Sequence, residues 1–251
     1  MSPQVEILAT SVMARIAEPS HQAIFEAIGE IAGRRIEVVT DGTWGERMQR
    51  VDTGEIGLAF LCGYPYGPRS SLLTILAAPV MAAPRYGGQP VYFSDVITRR
   101  DAGLSGFADL AGKRWGYNET ESQSGYNCVR TFLSQLGLDL SYFGEVVETG
   151  SHAESMRLIE AGVIDGAAID STVLEMELRR DPSRDFKIIE TIGPSPIPPL
   201  VANRALPGLP ELRAAALALA DTSTGRAALA LGMMARMVEV DEASYLALHA
   251  P

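Results

Sequence analysis

Two stretches of this chain, 108 residues apart, carry the same series of local signals. The first is TWGERMQRVDTGEIGLAF, Thr43 to Phe60; the second is SHAESMRLIEAGVIDGAA, Ser151 to Ala168. Each opens on a hydroxyl residue with a glutamate three positions on (Thr43/Glu46, Ser151/Glu154), the spacing at which cap and glutamate satisfy a first helical turn reciprocally. Each has methionine at the same place, Met48 and Met156, and a glycine, Gly54 or Gly162, where a helix would stop in the left-handed conformation. Each then enters a β-like run, IGLAFL or IDGAAI. Cap, helix, glycine stop and strand, repeated at one spacing, constrain the chain to two similar α/β lobes.

The rest of the chain extends the alternation. VEILAT reads as a strand, Ser20 to Ile31 as a helix with Ile24, Ala27, Ile28 and Ile31 inward, and RIEVVT as the next strand. VYFSDVITRR, rich in β-branched and aromatic residues, reads as a long strand. SGFADLAGKRWGYN reads as a short helix and a strand, with Leu110 and Trp115 in the core. A helix from Tyr126 places Val129, Phe132, Leu133 and Leu136 on one face and ends at Gly137. EVVETG, DGAAID and FKIIETIG are further strands. The proline-rich PSPIPPLVAN is either a strand returning the chain to the first lobe or a stiff surface loop. Leu209 to Pro251 is alanine-rich and reads as three short helices. Strands alternating with helices imply mainly parallel sheets.

Composition removes several function classes. At 251 residues and 47% hydrophobic, the chain can bury two cores. A net charge of −10 argues against a nucleic-acid partner and means that a bound anion is held by local groups. No apolar run reaches the roughly 18 residues of a membrane span. Two distant cysteines, Cys62 and Cys128, indicate neither a disulfide framework nor a zinc site, and three scattered histidines form no metal cluster. The opening MSPQVEILAT lacks a basic, apolar, cleavable pattern, so either a signal peptide has been removed or the protein is cytoplasmic.

In open α/β sheets ligands collect beyond the carboxyl ends of strands, where helix N-termini gather. Three helix starts qualify: Thr43, Ser122–Ser124 and Ser151. The second is unusual. ESQSGYN places Ser122, Gln123 and Ser124 in succession ahead of Gly125, where one capping side chain would suffice. The plain reading is a decorated cap in a solvated loop; the sharper one is an anion site of hydroxyls and free helix N–H groups. Trp44 and His152, each coming directly after a cap, are donors for a shared anion or, alternatively, a packed aromatic and a surface histidine. Tyr64 lies just past a strand end, Tyr92 begins the strand that crosses between lobes, and Thr10, Ser11 and Asp170 end strands. Asp170 would repel an anion unless one of the two carries a proton, which would select a hydrogen-bearing oxyanion.

These residues resemble the phosphate/phosphite/phosphonate-binding proteins of ABC importers, which have the type 2 periplasmic-binding-protein fold. The resemblance is carried by SQSGY (Ser122–Tyr126), where that family has Ser-Thr-Ser-Gly, and by TGSHAESMRLIEAGVIDGAAIDS (Thr149–Ser171). ADLAGKRWGYNE, VYFSDVITRRD and VEVDEASYLAL support it. It implies a two-lobed clamshell with a ligand cleft between lobes: lobe 1 from 1–93 and 201–251, lobe 2 inserted as 94–200. It implies that Ser122, Gln123 and Ser124 hold phosphonyl oxygens, that His152 is the cleft histidine, that Trp44 replaces a first-lobe tyrosine and that Tyr92 is the crossing-strand tyrosine. Three departures stand out. Gln123 replaces a threonine, Glu121 replaces a small residue beside the anion site, and SPIPPL offers no carboxylate for an aminoalkyl group. A compact phosphorus oxyanion is therefore expected ahead of 2-aminoethylphosphonate.

The expectation is a monomeric solute-binding protein that captures phosphate, phosphite or a phosphonate and hands it to an ABC permease in the membrane. Closure around the ligand would be a population shift. No catalytic residue, cofactor or metal is expected. The alternatives are a cytoplasmic enzyme of the same fold acting on a small carboxylate, similar to menaquinone-pathway dehydratases, and a ligand-sensing module. Location would be periplasmic with a removed signal peptide, or otherwise cytoplasmic.

Overall fold

The computed structural model describes residues 7–249, so Val5 and Glu6 of the first expected strand, and Pro251 at the end of the helical tail, lie outside the described residues. In chain order the strands are β1 Ile7–Ser11, β2 Ile36–Val39, β3 Leu58–Phe60, β4 Leu73–Met81, β5 Val91–Arg99, β6 Arg114–Tyr117, β7 Glu145–Glu148, β8 Gly166–Asp170, β9 Phe186–Pro196, β10 Leu200–Asn203 and β11 Met234–Val238. The helices are α1 Glu18–Ala32, α2 Trp44–Asp52, α3 Gly63–Tyr66, α4 Cys128–Gln135, α5 His152–Glu160, α6 Ser171–Arg180, α7 Leu209–Leu217, α8 Ser223–Leu231 and α9 Glu242–Leu246. They divide into two compact units, one from Met1–Val91 with Pro196–Pro251 and one from Tyr92–Ser195.

Unit 1 holds a six-stranded sheet in the order β11-β4-β10-β3-β1-β2. The part built from β1, β2 and β3 is parallel, as the strand–helix alternation requires, because α1 and α2 carry the chain back between strands. The other half is antiparallel: β10 runs against both β3 and β4, and β11 runs against β4. No helix separates Pro196 from β10, which enters from the other unit and is not bound by the crossover rule. β4 is buried at all nine of its positions. Its hydrophobic partners in unit 1 include Val12, Met48, Val51 and Val201.

Unit 2 repeats the plan with five strands in the order β7-β6-β8-β5-β9. β6 is parallel to β7 and β8, and β5 is antiparallel to β8. Both sheets are thus mixed, with the parallel strands grouped on one side. The aromatic core of unit 2 stacks Trp115 on Phe143 at 4.6 Å and Phe107 on Tyr142 at 5.7 Å.

Three local expectations change. The tail contains a strand, β11, between its helices. Its sequence hides it: a register shift between Met234 and Arg236 breaks the alternation, leaving Met234 and Met237 buried with two exposed residues between them. The Ser151 cap forms only one arm. Ser151 Oγ accepts from the Glu154 N–H at 3.1 Å, but the Glu154 carboxylate is taken by Arg157. Thr43 and Glu46 form both arms. Leu136 lies past the last turn of α4 and is exposed, not on its core face.

Arg47 on α2 fixes the carboxyl ends of β1 and β2. It is buried, donates to the Ser11 carbonyl at 2.9 Å and the Asp41 carbonyl at 3.2 Å, reaches the Thr40 carbonyl, and pairs with Glu18 at 2.6 Å. Arg47→Met should therefore leave three carbonyls and a half-shielded carboxylate without a partner and cost about 3 kcal/mol. A urea titration of the variant that gives an unchanged midpoint would remove this assignment.

Candidate functional site

In unit 2 the site grows from the end of β6. After Tyr117 the chain turns through Asn118–Glu121, and Asn127 pins that loop by donating its side-chain amide to the Thr120 carbonyl at 2.9 Å and the Ser122 carbonyl at 3.0 Å. The helix then starts with a wide turn. The Asn127 N–H bonds the Ser122 carbonyl, and the Cys128 N–H bonds the Gln123 carbonyl, five residues back in each case. Such turns are rare and concentrate at functional sites. Ser122 caps the turn, its Oγ accepting from the Gly125 N–H at 3.1 Å.

The α5 start is brought alongside by the parallel pairing of β6 and β7. The Thr149 N–H bonds the Tyr117 carbonyl and the Gly150 N–H bonds the Asn118 carbonyl, both at 2.8 Å. His152, first residue of α5, reaches Ser124: Nε2 lies 3.1 Å from Oγ. Gly125 permits this. A Cβ there would come within 1.9 Å of Asn118 Oδ1 and 3.3 Å of His152 Cε1. Ser122, Gln123, Ser124, Asn118 and His152 are all buried.

Electrostatically the cluster is uncharged. Burial depresses the His152 imidazole to about 4, so it is neutral at physiological pH. His152 Nδ1, Asn118 Oδ1 and Gln123 Oε1 are buried without a hydrogen-bond partner. Beside them Glu119 is pushed up to about 7, first by burial and then by the charges of Glu121 and Glu148. Asp170, at the end of β8, caps α6: Oδ1 accepts from the Thr172 N–H at 2.8 Å and its hydroxyl at 2.6 Å. Burial outweighs these bonds and raises its carboxyl to about 6. Tyr92, in β5, is completely buried.

The unit 1 candidates are engaged within their own unit. The Trp44 indole N–H donates to the Val12 carbonyl at 3.1 Å, and Thr10 Oγ1 donates to the Val39 carbonyl at 2.8 Å. Ser11 Oγ lies 2.8 Å from Nδ1 of His21, a buried histidine that stacks on Phe60 at 3.9 Å. Tyr64 stacks on His249 at 4.0 Å. Sequence reasoning passed over Asn118 and His21. Asn118 reads there as the end of a strand, and the signal that marks it is its place at a strand's carboxyl end, four residues before the serine cap. His21 reads as a helix residue. Among the described residues no group of acidic, histidine and cysteine side chains forms a metal site, and no helix is long and apolar enough to cross a membrane.

Residues 11–245 match the model of a family described as "ABC transporter, phosphonate, periplasmic substrate-binding protein". Among solved structures, PhnD1 from Prochlorococcus marinus (MIT 9301), in complex with methylphosphonate, has a TM-score of 0.83 at 15% identity, covering 96% of this chain and 94% of that one. A binding-protein component of an ABC phosphonate transporter from Pseudomonas aeruginosa has a TM-score of 0.82 at 16% identity, over 96% of this chain and 83% of the other. XAC2383 from Xanthomonas citri, bound to ATP, has a TM-score of 0.73 at 16% identity, over 97% and 94%. At these identities the structures speak for the fold, that of the two-lobed periplasmic binding proteins.

Two predictions test the geometry. Gly125→Ala forces a methyl against Asn118 and should destabilise unit 2 by about 1–3 kcal/mol, read from denaturant midpoints; an unaltered midpoint would mean Asn118 moves freely. The second concerns Asp170, whose folded carboxyl, raised from 3.8 to about 6, keeps a proton that the unfolded chain has released. Its stabilising contribution is therefore present below pH 3.8 and lost as pH rises to about 6. The stability of wild type relative to Asp170→Asn should fall between pH about 4 and about 6; a flat or rising difference overturns the assignment.

Proposed function

The chain belongs to the phosphonate-binding periplasmic substrate-binding proteins of ABC transporters, and on that premise we propose that the Ser122–Gly125 helix start and His152 hold the phosphonyl group of its ligand. The family is one of transport proteins, not enzymes; it binds small phosphonates, works with an ABC permease, and is periplasmic. The finer reading is a monomer that binds without turnover, takes no nucleic acid, and is exported behind a signal peptide. Neither the carboxylate-processing enzyme nor the sensor module gains support from the family match.

The single observation that carries the site is the bond between Ser124 and His152 at an N-terminus already capped by Ser122. With Ser122 meeting the capping need, Gln123 and Ser124 have backbone N–H groups with no intrahelical partner. Those donors, the serine hydroxyls and the positive end of the helix dipole suit tetrahedral oxyanions. Micromolar binding corresponds to roughly −8 kcal/mol, and a few charge-assisted hydrogen bonds at about 1.5–3 kcal/mol each supply it after the cost of ordering.

Calorimetry should show methylphosphonate or phosphite binding without product formation, and sulfate binding more weakly or not at all. Ser124→Ala should lower affinity by roughly tenfold, the worth of one charge-assisted bond. Affinity unchanged in that variant would reduce the serines to helix caps.

A further inference from the structure

The same cluster contains more hydrogen-bond acceptors than an anion site needs. A fully ionised phosphonate is acceptor-only, so it is served by donors alone. Yet two acceptors sit here in side chains at least nine-tenths buried, neither with a partner: Asn118 Oδ1 and Gln123 Oε1. Asn118 Oδ1 and the His152 ring both press on Gly125, and His152 meets Ser124 through Nε2. A buried acceptor left unpaired costs about 1–3 kcal/mol. It is stable in a binding protein if the guest brings a hydrogen to it.

The charges point the same way. Among the described residues, no lysine or arginine is hydrogen-bonded or ion-paired to Asn118, Ser122, Gln123, Ser124, Gly125 or His152, and the imidazole is neutral. The groups that face the cluster from its surroundings are mostly acidic. Glu119 and Glu121 come from its own loop, Glu148 comes from β7 with Tyr117 bonded to it, and β8, which packs against the turn, ends at Asp170. On the turn and α4, Tyr126 carries Arg130 over its ring at 5.5 Å, and on α5 Glu154 pairs with Arg157 on the exposed surface. A second negative charge on the guest would meet this acidic rim with no lysine or arginine bonded to the cluster to offset it.

We propose that the site takes its phosphonate as the monoanion, with the remaining P–O–H hydrogen donated to Asn118 Oδ1. The ionised oxygens accept from the serine hydroxyls and the helix N–H groups. The ligand class is thereby narrowed to phosphorus oxyacids that keep one acidic hydrogen. The inference rests on the phosphonyl assignment above.

The test is calorimetry of methylphosphonate and of its monomethyl ester across pH 6–9. The ester is a monoanion throughout and lacks the P–O–H group, so it reports protein titration alone, including that of Glu119 and Asp170. Relative to the ester, methylphosphonate affinity should fall roughly tenfold per pH unit above the ligand's second ionisation, because only the protonated fraction is competent. Below that point methylphosphonate should bind at least tenfold tighter than the ester, and Asn118→Ala should erase most of that difference. A pH series in which the two ligands run parallel, or in which methylphosphonate gains affinity as it ionises, overturns the proposal. If Asn118→Ala does not fold, the wild-type pair of titrations still decides. If neither ligand binds at any pH, the phosphonyl assignment itself fails, an outcome distinct from parallel curves.

Discussion

A neutral imidazole held against a serine is the constraint on which unit 2 is arranged. His152 can be buried uncharged because its Nε2 meets Ser124 Oγ, and the glycine at 125 keeps its ring from being crowded and Asn118 from being displaced. The approach in turn requires the loop after β7 to be tied to the end of β6, which the bonds from Thr149 and Gly150 achieve. Were His152 charged, burial at this depth would be prohibitive. The result is a buried cluster made of dipoles and not of charges, in a chain whose overall charge of −10 already disfavours anions at a distance.

Unit 1 solves the matching problem at its strand ends with a cation. Arg47 gathers the carbonyls of Ser11, Thr40 and Asp41 and satisfies Glu18. Around it Trp44, Thr10 and Ser11 turn their polar atoms inward, to backbone or to His21. The two repeats therefore share cap, helix and glycine stop, yet differ at the position directly after the cap. In one, the large residue there locks a loop; in the other, it faces a second helix start.

The features legible in the sequence and those hidden from it divide along the range of the interactions. The Thr43 and Ser151 caps, the left-handed glycines Gly54 and Gly162, and the excess of polar residues before α4 are local, and each is readable within a few positions. Parallel pairing was legible where helices join the strands and misleading where a strand arrives from elsewhere, as β10 does. Asn118 escaped because its significance depends on β6 lying beside β7, and His21 because its partners Ser11 and Phe60 stand ten and thirty-nine residues away. The direction of the Trp44 indole is likewise a tertiary fact. β11 was hidden by the bulge that breaks its alternation.

The position of β10 bears on how such a chain assembles as it is synthesised. β3 and β4 are neighbours in sequence but are separated in the sheet by β10, whose residues come after the whole of unit 2. On a ribosome the second unit therefore has its complete complement of strands while the first still lacks the central one of its antiparallel half. The nascent chain must hold an open sheet, with β4 among the most apolar strands it owns, until β10 and then β11, which ends at Val238, have emerged. Unit 1 is then completed only after unit 2, and the interval during which β4 is uncovered is where chaperone capture and misassembly compete with insertion.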